Sequence, residues 1–175
     1  ISNMELIIPL EPESADVHYL IGEAYRFKGQ AGNAIKAYND ALKLNSEFGP
    51  AYLGLARARL LDNADFNAED LFNEAIKRDP NFGEAYLERA RYYIFHEDPK
   101  SALVDLEQAT DLMPESPAIY MAYADAYLAL DDQKRALESA EKAYSLDITM
   151  LPVYQLLGGL YLQNGQNQEA VNALE

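Results

Sequence analysis

A chain of 175 residues, 49% apolar and 25% charged, carries enough material for one folded domain or a short repeat array, and is unlike a disordered segment. Its formal net charge of −15, from 29 acids against 14 bases with no Lys/Arg stripe, repels phosphate backbones and argues against a nucleic-acid partner. The absence of cysteine excludes disulfides, thiol catalysis and cysteine-ligated zinc, and no apolar run reaches membrane-spanning length. A cytoplasmic location is the favoured expectation, with no membrane insertion.

Residues 1–14, "ISNMELIIPLEPES", follow no pattern seen later and contain Pro9, which interrupts a helix. They read as a linker or the remnant of a preceding element. From residue 15 the chain alternates helical segments with short turns. Ser14 and Ser116 stand at N-cap positions, and Pro50, Pro117 and Pro152 at first-turn positions. The turns within the helix pairs fall at "KGQ" (28–30), "DNAD" (62–65), "HEDP" (96–99), "LDDQ" (130–133) and "NGQ" (164–166).

These segments repeat with a period of 34. His18, Tyr52, Tyr86, Tyr120 and Tyr154 share one position, and Tyr25, Arg59, Tyr93, Tyr127 and Tyr161 another. Between them stand Gly22, Ala56, Ala90, Ala124 and Gly158. The second half of each unit repeats Ala34, Ala68, Ala102, Ala136 and Ala170, then Tyr38, Phe72, Leu106, Ala140 and Leu174. Pro80 and Pro114 close two units. Three- and four-residue apolar spacing marks amphipathic helices, and small residues at contact positions let paired helices approach closely.

This pattern resembles the tetratricopeptide repeat family, whose signature is W-x2-L-G-x2-Y, then A-x3-F, then P. The resemblance covers residues 15–175 and implies an all-α, right-handed α-solenoid of antiparallel helix-turn-helix repeats. The units run 15–48, 49–82, 83–116, 117–150 and a truncated fifth at 151–175. His18 and the tyrosines replace the usual Trp, and Ser46 and Ile148 stand where Pro is common. The array is expected to continue beyond the last residue, and its uncapped C-terminal end to self-associate.

Motifs of catalysis are not found: no G-x-S-x-G, P-loop, H-E-x-x-H or G-x-G-x-x-G occurs, and the acids are scattered over helix surfaces. The expectation is a non-enzyme without cofactor or metal. In the resembled family the first helices of successive repeats line a concave groove that takes peptides. Carried onto this sequence, that groove comprises Tyr19, Leu53, Leu87 and Met121; Glu23, Arg57, Arg91 and Asp125; and Arg26, Leu60, Ile94 and Leu128. The family's carboxylate clamp is absent, because Tyr19, Glu23, Leu53, Gly54, Glu84 and Glu88 occupy its positions.

The apolar members are expected to seat side chains of an extended or helical peptide, with Arg57 and Arg91 holding a carboxylate or carbonyls. The alternative at the residue level is that Glu23–Arg57 and Arg91–Asp125 are ion pairs between repeats and the leucines are packing. The functional expectation is a scaffold or adaptor for a protein partner. Its alternatives are a self-assembling or spacer array and the recruiting arm of a larger enzyme.

Overall fold

The computed structural model describes residues 13–149, 151–163 and 165–174, so the reading of residues 1–14 as a linker or remnant of a preceding element lies, but for Glu13 and Ser14, outside the described residues. Every regular element among those residues is a helix. In chain order they are α1 (Ala15–Phe27), α2 (Ala31–Leu44), α3 (Gly49–Asp62), α4 (Glu69–Arg78), α5 (Gly83–Phe95), α6 (Pro99–Leu112), α7 (Pro117–Ala129), α8 (Gln133–Leu146), α9 (Leu151–Gln163) and α10 (Asn167–Leu174). The chain forms two compact units, one reaching to Ala85 and one beginning at Tyr86.

The tight turn inside a helix pair uses one left-handed residue at a fixed place in the period. Gly29 (φ 70°), Glu97 (φ 59°), Asp131 (φ 58°) and Gly165 (φ 72°) occupy it. Glycine adopts that conformation without the steric penalty an L side chain meets there. In the second repeat the same place holds Asn63 with φ −146°, and α4 begins four residues late, at Glu69 instead of 65. Two of the other pairs have a side-chain cap that is missing here. Asp98 caps α6 by accepting from Ser101 N at 3.1 Å, and Asp132 caps α8 by accepting from Arg135 N at 3.0 Å. The equivalent residue here is Ala64, which has no acceptor to offer the first turn. Asn63 and Asn67 instead close local turns onto Asp65 N and Glu69 N.

Ser14 caps α1 as expected, accepting from Val17 N at 3.3 Å. Ser116 stands at its N-cap position but makes no side-chain cap hydrogen bond.

In three of the repeats the core follows a rule of compensating sizes. Tyr38 of α2 is fully buried and its ring lies against Gly22 of α1 and Gly54 of α3. A Cβ added at either glycine would sit 2.5 Å from Tyr38 Cε1. In the second unit, Leu106 takes the place of Tyr38 and packs with Ala90 and Ala122. One repeat later Ala140 takes it, packing with Ala124 and Leu156. Across these three repeats the second-helix residue shrinks from Tyr to Leu to Ala while the residue at the matching place on the next first helix grows from Gly to Ala to Leu; the second repeat departs from the series, with Phe72 and Glu88 at those places. Close packing at interior density demands that compensation.

Candidate functional site

In the first unit, the predicted face carries Tyr19, Glu23 and Arg26 from α1 and Arg57 and Leu60 from α3. All five are half-buried. Tyr19 meets Phe48 edge-on at 5.3 Å between centroids and tilts against Tyr38 at 5.9 Å. Burial raises the Tyr19 phenol above its ordinary value, and Glu23 and Glu84 add to that effect.

Glu23 is the hinge of a polar cluster. Arg26 donates to it through Nε at 3.2 Å and Nη2 at 2.7 Å, and the buried Tyr38 hydroxyl donates a short hydrogen bond. Burial favours the neutral acid, but the bonds from Arg26 and Tyr38 outweigh it and hold the carboxyl below its ordinary 4.5. A depressed folded value stabilises the fold above the unfolded value and loses that contribution as pH falls through the folded one. The stability gap between the wild type and Glu23→Gln is therefore expected to be full near neutrality and to close on acidification below about pH 4. Thermal melts across that range check it, and a constant gap contradicts it.

In the second unit, Ile94, Met121 and Leu128 are half-buried against the core, while Arg91 and Asp125 are exposed. Arg91 pairs with Glu88, one turn earlier, at 3.1 Å.

Two features differ from the sequence expectation. Leu53 is 1% exposed and Leu87 5%, so both belong to the core and present almost no surface to a ligand. The charged residues also have nearer partners than the expected ones, although Arg57 still attracts Glu23 and Arg91 still attracts Asp125. Glu23 binds Arg26 and Arg91 binds Glu88, while Arg57 Nη2 reaches Glu84 Oε1 at 2.7 Å. Residues three apart on one helix already face each other, so two of these pairs form without any cross-repeat alignment.

A pair that the sequence reading passed over lies behind this face. Arg89 of α5 grips Asp105 of α6 through Nε and Nη2, both at 2.7 Å, and Asp105 is only 3% exposed. The signal was present in the period. The places of Arg89 and Asp105 hold Ile21 with Ala37 in the first repeat and Leu55 with Leu71 in the second. Both positions turn charged in the same repeat, with opposite signs.

Among the described residues no group of three or more His, Cys, Asp or Glu is arranged to hold a metal ion. No described helix is long and apolar enough to cross a membrane.

Sequence profiles of the tetratricopeptide repeat match residues 15–48 and 151–175 in one case and 87–149 in another. The chain belongs to the tetratricopeptide repeat family. The unmatched stretch, residues 49–86, holds the whole second repeat, where Ala64 stands in the place of a cap and α4 starts late. No curated protein matches by sequence. Among solved structures, MamA from Desulfovibrio magneticus RS-1 is 19% identical, with 91% of this chain and 90% of that one covered and a TM-score of 0.75. The thermophilic tetratricopeptide repeat protein TTC0263 of Thermus thermophilus is 20% identical over 91% and 88%, with a TM-score of 0.78. YrrB, described as having an unusual peptide-binding site, is 19% identical over 98% and 88%, with a TM-score of 0.69. These likenesses establish the helical-repeat fold, and the family is one of protein-interaction scaffolds.

Proposed function

We propose that this protein is a non-catalytic scaffold that binds a peptide segment of a partner protein on the faces of its first helices. The observation that carries the reading is the mixture on those faces. Leu60, Ile94, Met121 and Leu128 are apolar yet only half-buried, while charged Glu23, Arg57, Arg91 and Asp125 stand beside them. Partly exposed apolar side chains anchor a peptide, and adjacent charges select its register and polarity. YrrB gives a precedent for peptide binding on this fold.

Arg57 and Arg91 already face Glu84 and Glu88. A peptide carboxylate would have to displace those acids, so the favoured segment is anchored by apolar side chains, with the arginines serving its carbonyls.

The test uses one altered face per unit: Arg57→Ala with Leu60→Asp, and Arg91→Ala with Met121→Ala. Captured proteins from native lysate are compared with wild type after melts show each variant folded. Loss of one protein from either variant supports the reading. An unchanged set on both overturns it and turns attention to the array as an assembly or spacer element.

A further inference from the structure

In the second unit a pocket of about 260 Å3 opens among α8, α9 and α10, lined by Glu141, Tyr144, Leu157, Tyr161, Glu169 and Asn172. Leu157 is buried beneath it, and the Tyr161 hydroxyl donates to Glu141 Oε1 at 2.9 Å. Burial first, and then Glu141, push the Tyr161 phenol up to about 12. Neither Glu141 nor Glu169 forms an ion pair among the described residues, and the sequence contains no Lys or Arg after Lys142.

The same place one repeat earlier carries an arginine of the chain itself. There Glu107, Tyr127 and Arg135 stand where Glu141, Tyr161 and Glu169 stand here. The Arg135 guanidinium lies 4.5 Å from the Tyr127 ring centroid, steadied by Asp132 at 2.6 Å. A repeat further back Ser101 stands in the place of Arg135, and the equivalent ring of Tyr93 instead has Arg89 of its own helix at 5.9 Å. In the last repeat Glu169 replaces Arg135 and Gln166 replaces Asp132. The ring and the first carboxylate are kept, the guanidinium is gone, and a second carboxylate has been added.

We propose that this pocket receives an arginine side chain from a basic segment of a partner protein, in the place Arg135 fills one repeat earlier. The Tyr161 ring offers its face to the guanidinium, and Glu141 and Glu169 supply acceptors for its N–H groups. A net charge of −15 attracts such a segment from solution. None of these residues belongs to the peptide faces described above, so the two readings stand or fall separately.

The experiment titrates 15N-labelled protein with the peptide acetyl-Gly-Ser-Arg-Gly-Ser-amide and with its citrulline counterpart, which keeps the shape but not the charge. Saturable shifts at Tyr144, Tyr161 and Glu169 are expected with arginine, and about tenfold weaker binding with citrulline. Glu169→Arg should install the internal guanidinium, abolish these shifts and let Tyr161 ionise at lower pH. Equal binding of the two peptides, no saturable shift at the pocket, or undiminished arginine binding by Glu169→Arg overturns the proposal. Should that variant fail to fold, Glu141→Gln with Glu169→Gln carries the test: weaker arginine binding supports the pocket and unchanged binding overturns it.

Discussion

Replacing Asp105 with Ala is expected to destabilise the second unit by about 3–5 kcal/mol, which places it among the most damaging single changes available in this chain. The reason is what stays behind. Arg89 keeps its charge at any accessible pH, and its side chain is only 18% exposed. With both 2.7 Å bonds to Asp105 gone, the guanidinium loses its bidentate carboxylate in a largely buried setting. Its positions over the rings of Tyr86 and Tyr93, each 5.9 Å away, are too weak to compensate.

The matched double change gives the opposite outcome. Arg89→Leu with Asp105→Leu recreates the Leu55–Leu71 combination that the second repeat uses at the same two places. Exchanging a buried ion pair for apolar residues of similar volume is often neutral or stabilising, so the double variant should recover most of the loss. Denaturant melts together with hydrogen exchange in α5, α6 and α7 measure both variants. A single-site cost below about 1 kcal/mol, or a double variant no better than the single, contradicts this account of the pair.

The contrast between Arg89 and its neighbours shows what the sequence makes legible. A period of 34 without insertion identifies the helices, their pairing and their small-residue contacts, because each of those depends on residue type at a fixed spacing. It does not register a missing cap. Ala64 looks as helical as any alanine, and only the comparison with Asp98 and Asp132 shows that a side-chain cap is missing ahead of α4, which starts at Glu69.

Depth is harder still. Tyr19, Leu53, Leu87 and Met121 share one register and so one direction, yet Leu53 and Leu87 are buried while Tyr19 and Met121 are half-exposed. Helical spacing tells which way a side chain leaves its helix, and the surrounding side chains decide how far they close over it. Charges are ambiguous for a related reason. A long side chain such as Arg91 reaches an acid on its own helix as readily as one on the next, and Glu88 is the nearer choice.

Tyr38 supplies the second large effect, and it turns the size rule into a test. Tyr38→Ala should cost about 3–5 kcal/mol, since it empties a fully buried ring site between two glycines and removes a donor from Glu23. Gly22→Ala or Gly54→Ala alone should cost about 1–3 kcal/mol, because each new methyl would stand 2.5 Å from the Tyr38 ring. The chain already contains another solution to the same packing problem, Leu106 with Ala90 and Ala122. Transplanting it as Tyr38→Leu, Gly22→Ala and Gly54→Ala should therefore be far less damaging than the sum of its parts. Some cost remains, because Glu23 loses the Tyr38 hydroxyl as a donor while keeping Arg26. Strong non-additivity in this triple, read from denaturant melts, would show that volume is shared among three helices. Additive losses would show that each position is fixed by its own surroundings, and the series Tyr, Leu, Ala would then carry no compensating logic.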